Sequence, residues 1–218
     1  MKIACLHTHE SNVAGFDAAA AELALPPGLL LHAVQPELLA EAERNGALTA
    51  DVVSRTAEAL LALTEGADAV LLTCSTLGPA ADAAASRASV PILRADAALA
   101  MEAVAEGRRV VALCAVATTI APTTKLFTEV AAQTGAVIEI RMVDGAWDLF
   151  RAGRREDYLA GIAAAADAAY REGASIVAFA QASMAGAAAL VTAGPRPPSS
   201  PLAGLRRAVA AAQSSVLR

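Results

Sequence analysis

Val70-Leu71-Leu72-Thr73-Cys74-Ser75-Thr76-Leu77-Gly78-Pro79 is the stretch whose reading decides the fold. An apolar run suited to a buried strand stops at a thiol, two hydroxyl residues follow, and Leu77 to Ala85 reads as a helix with Pro79 in its first turn. Cys74 therefore falls where a strand hands over to a helix. In an open parallel α/β sheet that position is the carboxyl edge, where ligands bind, and a helix amino terminus there offers free N–H groups and a positive partial charge. Such a place is expected to lower the thiol pKa and to accept a carboxylate.

The stretch returns later in the chain. Gly66-Ala67-Asp68-Ala69-Val70-Leu71-Leu72-Thr73-Cys74-Ser75-Thr76 aligns without gaps on Gly173-Ala174-Ser175-Ile176-Val177-Ala178-Phe179-Ala180-Gln181-Ala182-Ser183, an offset of 107 in a chain of 218 residues. At the same offset Lys2 to Leu6 falls on Arg109 to Leu113, Ser11-Asn12 on Thr118-Thr119, and Gly28 to Leu31 on Gly135 to Ile138. A repeat of this length implies two copies of a domain rather than a solenoid. The copy of Cys74 is Gln181.

Strands and helices alternate along both copies, which predicts parallel sheets. In the first, strands are read at Ile3 to His7, Leu29 to Val34, Val70 to Leu72 and Val90 to Leu93. Asn12 is read as a helix N-cap, Thr49 as the cap of a helix from Ala50 to Glu65, and Asp96 as opening a helix that ends at Gly107. The second copy repeats the order with strands at Val110 to Cys114, Val137 to Met142 and Ile176 to Ala180. Its helices run from Ile120, with Pro122 in the first turn, and from Glu156 to Glu172, and a further turn and helix follow Gln181. The Pro-rich loop Gly194 to Pro201 breaks the composition and leads to a final helix from Leu202 to Leu217 that can pack back on the first copy. The expected architecture is α/β: two pseudo-symmetric parallel-sheet domains of the flavodoxin or Rossmann kind, with an active-site cleft between them bearing Cys74 and Gln181. Residues 1–93 with 201–218 form one domain and 94–200 the other.

Composition narrows the partners. A net charge of −5, with no basic stripe, argues against nucleic acid. The apolar stretch after Lys2 ends at His7, so no signal peptide is read, and three scattered cysteines make no disulfide framework, which places the protein in a reducing cytoplasm. Gly173 to Pro195 carries no charge, but its glycines and its match to the first copy favour strand–turn–helix over a membrane span. Gly78 and Gly186 stand alone and no P-loop lysine follows a glycine run, so no phosphate-bearing cofactor is expected. No metal is expected either, the nearest approach to a ligand spacing being His7-Thr8-His9-Glu10 on one strand end. Arg94 and Asp96 are read as an ion pair, and Asp144 and Asp148 as residues of a solvated loop and short helix.

The duplicated halves, the Cys74-Ser75-Thr76 turn and the matching turn ending in Ser183-Met184 resemble the aspartate/glutamate/hydantoin racemase superfamily, which also includes maleate isomerases and arylmalonate decarboxylases. The resemblance spans essentially the whole chain. His7-Thr8, Asn12, Phe16-Asp17, Thr118-Thr119, Val143 to Asp148 and Gln181 to Met184 are especially similar to a racemase-like branch of it. It implies a cofactor-independent enzyme acting on a small carboxylate, in a homo-oligomer, with Cys74 catalytic. In the two-base racemases each half supplies a cysteine, one per face of the substrate carbon. Gln181 departs from that pattern, and a carboxamide cannot exchange protons at pH 7.

Removing a proton beside a carboxylate makes an enediolate, which needs N–H and O–H donors at its oxygens. Asn12, Ser75, Thr76, Thr118, Thr119 and Ser183 are the candidates to supply them, and Gln181 can hold a carboxylate by hydrogen bonds. His7 as a base and Cys114 as a displaced second thiol are further candidates, each weighed against a packing or hydrogen-bonded role. One thiol suffices for a decarboxylase, which protonates the enediolate left by CO₂, or for a cis–trans isomerase, where it adds and leaves. A binding protein that has kept the pocket without the chemistry is the reading from another class.

Overall fold

A computed structural model describes residues 1–105 and 108–216, so Gly107 and Leu217, read above as helix ends, lie outside the described residues. The chain divides into two compact units, Met1–Ala98 with the segment from Pro201 onward, and Leu99–Ser200. Elements run in the order β1 (Ile3–His7), α1 (Ser11–Glu22), β2 (Leu30–Val34), α2 (Pro36–Arg44), α3 (Ala50–Ala62), β3 (Ala69–Leu72), α4 (Gly78–Ala85), β4 (Ile92–Arg94) and α5 (Ala95–Val104). They continue with β5 (Arg109–Cys114), α6 (Ala117–Ala131), β6 (Val137–Met142), α7 (Ala146–Arg151), α8 (Arg155–Arg171), β7 (Ile176–Phe179), a 3₁₀ helix (Ala182–Ala189) and α9 (Ser200–Val216).

Two parallel sheets result, in the orders β2-β1-β3-β4 and β6-β5-β7. Because successive side chains on a strand point to opposite faces, each strand feeds two layers. In the first unit Ala4, Leu6, Val70 and Leu72 meet Val52 and Leu60 of α3 and Leu77, Ala81 and Ala84 around α4 in one apolar cluster. On the other face the intervening residues include Cys5 and His7, and Phe16 of α1 lies against the His7 ring at 5.1 Å. Helix α9 packs closely because position 204 is glycine: a Cβ there would lie 2.8 Å from the Ala95 Cβ and 3.3 Å from a Leu71 methyl. In the second unit Val111, Leu113, Val177 and Phe179 pack on Tyr158, Ile162 and Ala166 of α8.

The central strand pairs keep the 107-residue offset residue for residue, Ile3 lying opposite Ala69 and Val110 opposite Ile176. Gly66 and Gly173 both take left-handed φ, 81° and 91°, at the turns that feed these strands. The outer pairs differ by one residue: Ile3 faces Leu30, whereas Val110 faces Ile138 and not Val137. Here Arg109 extends β5 by a residue, held by Glu139 and the Glu172 carbonyl, while Lys2 instead turns its backbone N–H to Asp68.

Three local expectations change. Helix α1 starts at Ser11 with Glu10 at the N-cap, so Asn12 is a first-turn residue whose N–H donates to the His9 carbonyl. Helix α6 starts at Ala117, which puts Pro122 inside it, where its missing N–H removes one rung of the ladder. The helix after Gln181 is a 3₁₀ helix, whose eclipsed i and i+3 side chains are tolerated by the run of alanines. Thr49 caps α3 as expected, its Oγ1 accepting from the Val52 N–H at 3.4 Å.

Among the described residues a fourth strand forms in the first unit alone. There Val70 N–H donates to the Pro91 carbonyl at 2.9 Å and three residue pairs follow. In the second unit a single bridge, Phe179 to Ser199, stands for it. The N–H of Val177, the copy of Val70, donates to the hydroxyl of Tyr170 at 3.2 Å, and that hydroxyl donates to the Pro195 carbonyl at 2.8 Å. Gly194 permits this, since a Cβ there would lie 2.4 Å from the tyrosine ring.

Candidate active site

Strand β3 ends at Leu72, and the chain is tied down one residue later. Thr73 sends both its backbone N–H and its hydroxyl to the Leu6 carbonyl, at 3.1 and 2.9 Å. Cys74 follows, a half-buried free thiol, with Ser75 and Thr76 buried beside it. Its sulfur meets the Thr8 hydroxyl and the backbone N–H groups of Leu77 and Thr76, the donors just before α4. These stabilise a thiolate, yet burial outweighs them and pushes the thiol pKa up, with the Asp96 charge adding to the rise. The expected lowering of this pKa is therefore reversed: desolvation of the sulfur is the larger effect.

Asp96 is fixed by Arg94, whose Nε and Nη2 donate to its two oxygens at 3.1 and 2.9 Å while Nη1 reaches Asp82 at 2.8 Å. The guanidinium lies flat over the start of α4. A Cβ at Gly78 would fall 2.2 Å from Nη2, which is why a lone glycine stands there.

The matching turn of the second unit is built differently. Gln181 Oε1 accepts from the N–H groups of Ala115 and Val116, at 2.5 and 3.1 Å, and so ties the end of β7 to the turn before α6. Ala115 is the copy of Thr8, so each turn reaches to the equivalent loop of its own unit, one through a thiol and one through an amide oxygen. Thr118 is half-buried and Thr119 buried in the first turn of α6. Ser183 Oγ pairs with the Tyr158 hydroxyl at 2.8 Å, and burial raises that phenol's pKa to about 12.

The two further candidates lie away from these turns' exposed atoms. Cys114 is fully buried, and burial pushes its pKa up to about 12 despite the Thr123 hydroxyl. His7 is also fully buried, and burial, with the His32 charge, lowers its pKa to about 4 against the pull of Asp17. It pairs not with His9 along the strand but with His32 across it, Nε2 to Nδ1 at 2.8 Å, and with Thr73 Oγ1 through Nδ1 at 2.8 Å. His9 is exposed and closes a local turn with Ser11. Thr8 and Tyr158 were not singled out from sequence as partners of Cys74 and Ser183. Thr8 was within reach of the repeat, being the residue that follows β1 as Ala115 follows β5.

The model of the Asp/Glu/Hydantoin racemase family matches residues 7–198. Among solved structures the chain is similar to the aspartate racemase of Picrophilus torridus, with 12% identity, a TM-score of 0.74 and coverage of 98% of this chain and 95% of that one. It is similar to the allantoin racemase of Klebsiella pneumoniae, with 15% identity, a TM-score of 0.66 and coverage of 100% and 88%. Unliganded arylmalonate decarboxylase aligns with 16% identity, a TM-score of 0.60 and coverage of 97% and 92%. No curated protein sequence matches the chain. At these identities the structures speak for the fold. Among the described residues no helix is long and apolar enough to cross a membrane.

Proposed function

Because the chain belongs to the Asp/Glu/hydantoin racemase family, we propose that it is a cofactor-independent enzyme in which Cys74 passes a proton to one face of the carbon beside a small carboxylate. The contrast between the two turns carries this reading. Cys74 keeps an acid–base group, whereas Gln181 has no exchangeable proton of useful acidity and its carbonyl oxygen is committed to Ala115 and Val116. The amide's NH₂ is the end left to hold a substrate carboxylate.

The raised pKa of Cys74 favours the protonated thiol at neutral pH, which suits an acid more than a base. Loss of CO₂ from a malonate-type diacid leaves an enediolate. The Cys74 S–H gives its proton to the carbon, the thiolate recovers one from water, and a single enantiomer of the monoacid results. Backbone N–H groups at the turns and the hydroxyls of Ser75, Thr76, Thr118, Thr119 and Ser183, with the Asn12 amide, supply donors to the oxygens that gain charge. Reversible proton exchange on one face uses the same groups, whereas racemisation needs a second acid that Gln181 does not provide.

Incubation in D₂O with a panel of small amino, hydroxy, dicarboxylic and malonate-type acids tests the reading. Expected is deuterium on one face of a single product or substrate, lost in Cys74→Ala. Efficient racemisation of aspartate, glutamate or a hydantoin would refute the one-thiol mechanism. Saturable binding with no exchange would establish a carboxylate-binding protein instead.

A further inference from the structure

Beneath α1, on the face of the first sheet that carries odd-numbered residues of β1, three metal-ligating side chains converge. Cys5 and His7 alternate on β1, and the parallel register sets Cys5 opposite His32 of β2. One ligand atom from each of Cys5, His7 and His32 lies within 4.8 Å of the other two. Cys5 and His7 are fully buried, and Phe16 packs on the His7 ring.

Hydrogen-bond direction fixes where the lone pairs point. The Thr73 hydroxyl donates to the Leu6 carbonyl, so it must accept from His7 Nδ1–H, which leaves the lone pair of His7 on Nε2. At the other end the exposed Asp17 carboxylate accepts from His32 Nε2–H at 3.1 Å, which leaves the lone pair of a neutral His32 on Nδ1. These two atoms, His7 Nε2 and His32 Nδ1, face each other at 2.8 Å. Two lone pairs so placed require a cation between them: a proton shared by the rings, or a metal ion. The Cys5 sulfur is the third donor that a metal uses and a proton does not.

We propose that Cys5, His7 and His32 form a binding site for one divalent cation of the zinc type, with Thr73 and Asp17 as positioning residues that orient the two imidazoles. One thiolate and two imidazoles suit a borderline-soft ion and leave a fourth position for water. Each imidazole already has the outer hydrogen bond, to a hydroxyl and to a carboxylate, that metal-bound histidines almost always make. With Zn–N bonds of about 2.0–2.1 Å at a tetrahedral angle, the two nitrogens stand about 3.3–3.4 Å apart, so the rings need to separate by about half an ångström. Strand β2 is the edge of its sheet and His32 is half-buried, so an ion reaches the site from that side. Since His7 is bonded to Thr73 and Thr73 precedes Cys74, the ion would pin β1 to β2 and, through His7, brace the end of β3 at the Cys74 turn.

Full-length protein stripped with a chelator and titrated with Co²⁺ provides the test. One equivalent is expected to bind, with the visible bands of tetrahedral cobalt and the near-ultraviolet charge-transfer band of a cobalt–thiolate bond. Cys5→Ser should remove the charge-transfer band, His32→Ala should abolish tight binding, and Asp17→Asn should weaken it by about 10–100-fold. Zn²⁺ should raise Tm of the natural protein and leave His32→Ala unmoved. His32 is a half-buried edge position, so that variant keeps the experiment readable if Cys5→Ser does not fold. Absence of saturable cobalt binding, or a charge-transfer band that survives Cys5→Ser or vanishes in Cys74→Ala, would overturn the proposal.

Discussion

The β3–α4 turn and the β7–3₁₀ turn occupy equivalent places in two copies of one plan, yet one is left open and the other is sewn shut. At Cys74 the turn is held chiefly by its backbone and by Thr73, and the thiol adds a contact to the Thr8 hydroxyl of the neighbouring loop. At Gln181 the side chain is the tie, bonding two backbone N–H groups of the neighbouring loop. A duplicated scaffold can thus place a thiol in one copy and use the matching position of the other to tie two loops together.

Substitutions that separate those two roles give the sharpest test. Cys74→Ala should lower any turnover by about 10²–10⁴, the usual worth of a general acid–base group, while changing stability by less than about 1 kcal/mol. If Cys74 acts as the acid, its rate profile has a definite sign: activity holds through neutral pH and falls as pH rises through the elevated pKa, because the thiolate has no proton to give. A rate that instead increases with pH would mark the thiolate as the working form.

Gln181→Ala should lower stability by about 1–3 kcal/mol, the cost of leaving buried donors unpaired, as read by denaturant or thermal melts, and should raise KM as well, since its NH₂ is the group proposed to hold the substrate carboxylate. Gln181→Cys loses the same tie but restores a second acid, so a lower Tm should accompany the first measurable exchange on the other face. Exchange without loss of stability would show that the amide is not the tie described. The smallest effect is expected at Tyr158→Phe, which removes the hydroxyl bonded to Ser183 and should cost about 1 kcal/mol. A larger loss in turnover than in stability there would support the donor role proposed for Ser183.

Periodicity and the repeat made the sheets legible, because buried parallel strands are short apolar runs and the central pairs keep one offset. Register at the outer strands was not legible: a slip of one residue leaves the apolar pattern of Val137 to Met142 readable either way. The place of Cys74 followed from local pattern, but the sign of its pKa shift depended on how much of the sulfur is desolvated, a property of packing rather than spacing. The Cys5, His7 and His32 cluster escaped because ligand spacing was sought along one strand. Its signal lies across two, in residues set side by side by the β1–β2 pairing.

Tyr170 shows what the loss of a strand entails. A sheet edge with free N–H groups is a template on which a foreign strand can grow, and β7 without a fourth strand would offer one. The phenol occupies the Val177 N–H, and the chain beyond it runs through Pro195, Pro197 and Pro198, which have no N–H to give. One aromatic side chain and three prolines therefore guard the second sheet against edge-to-edge aggregation. Tyr170 is in this sense a stopper: its hydroxyl, with one bond from the Phe179 N–H to the Pro198 carbonyl, closes a seam the first sheet closes with a whole strand.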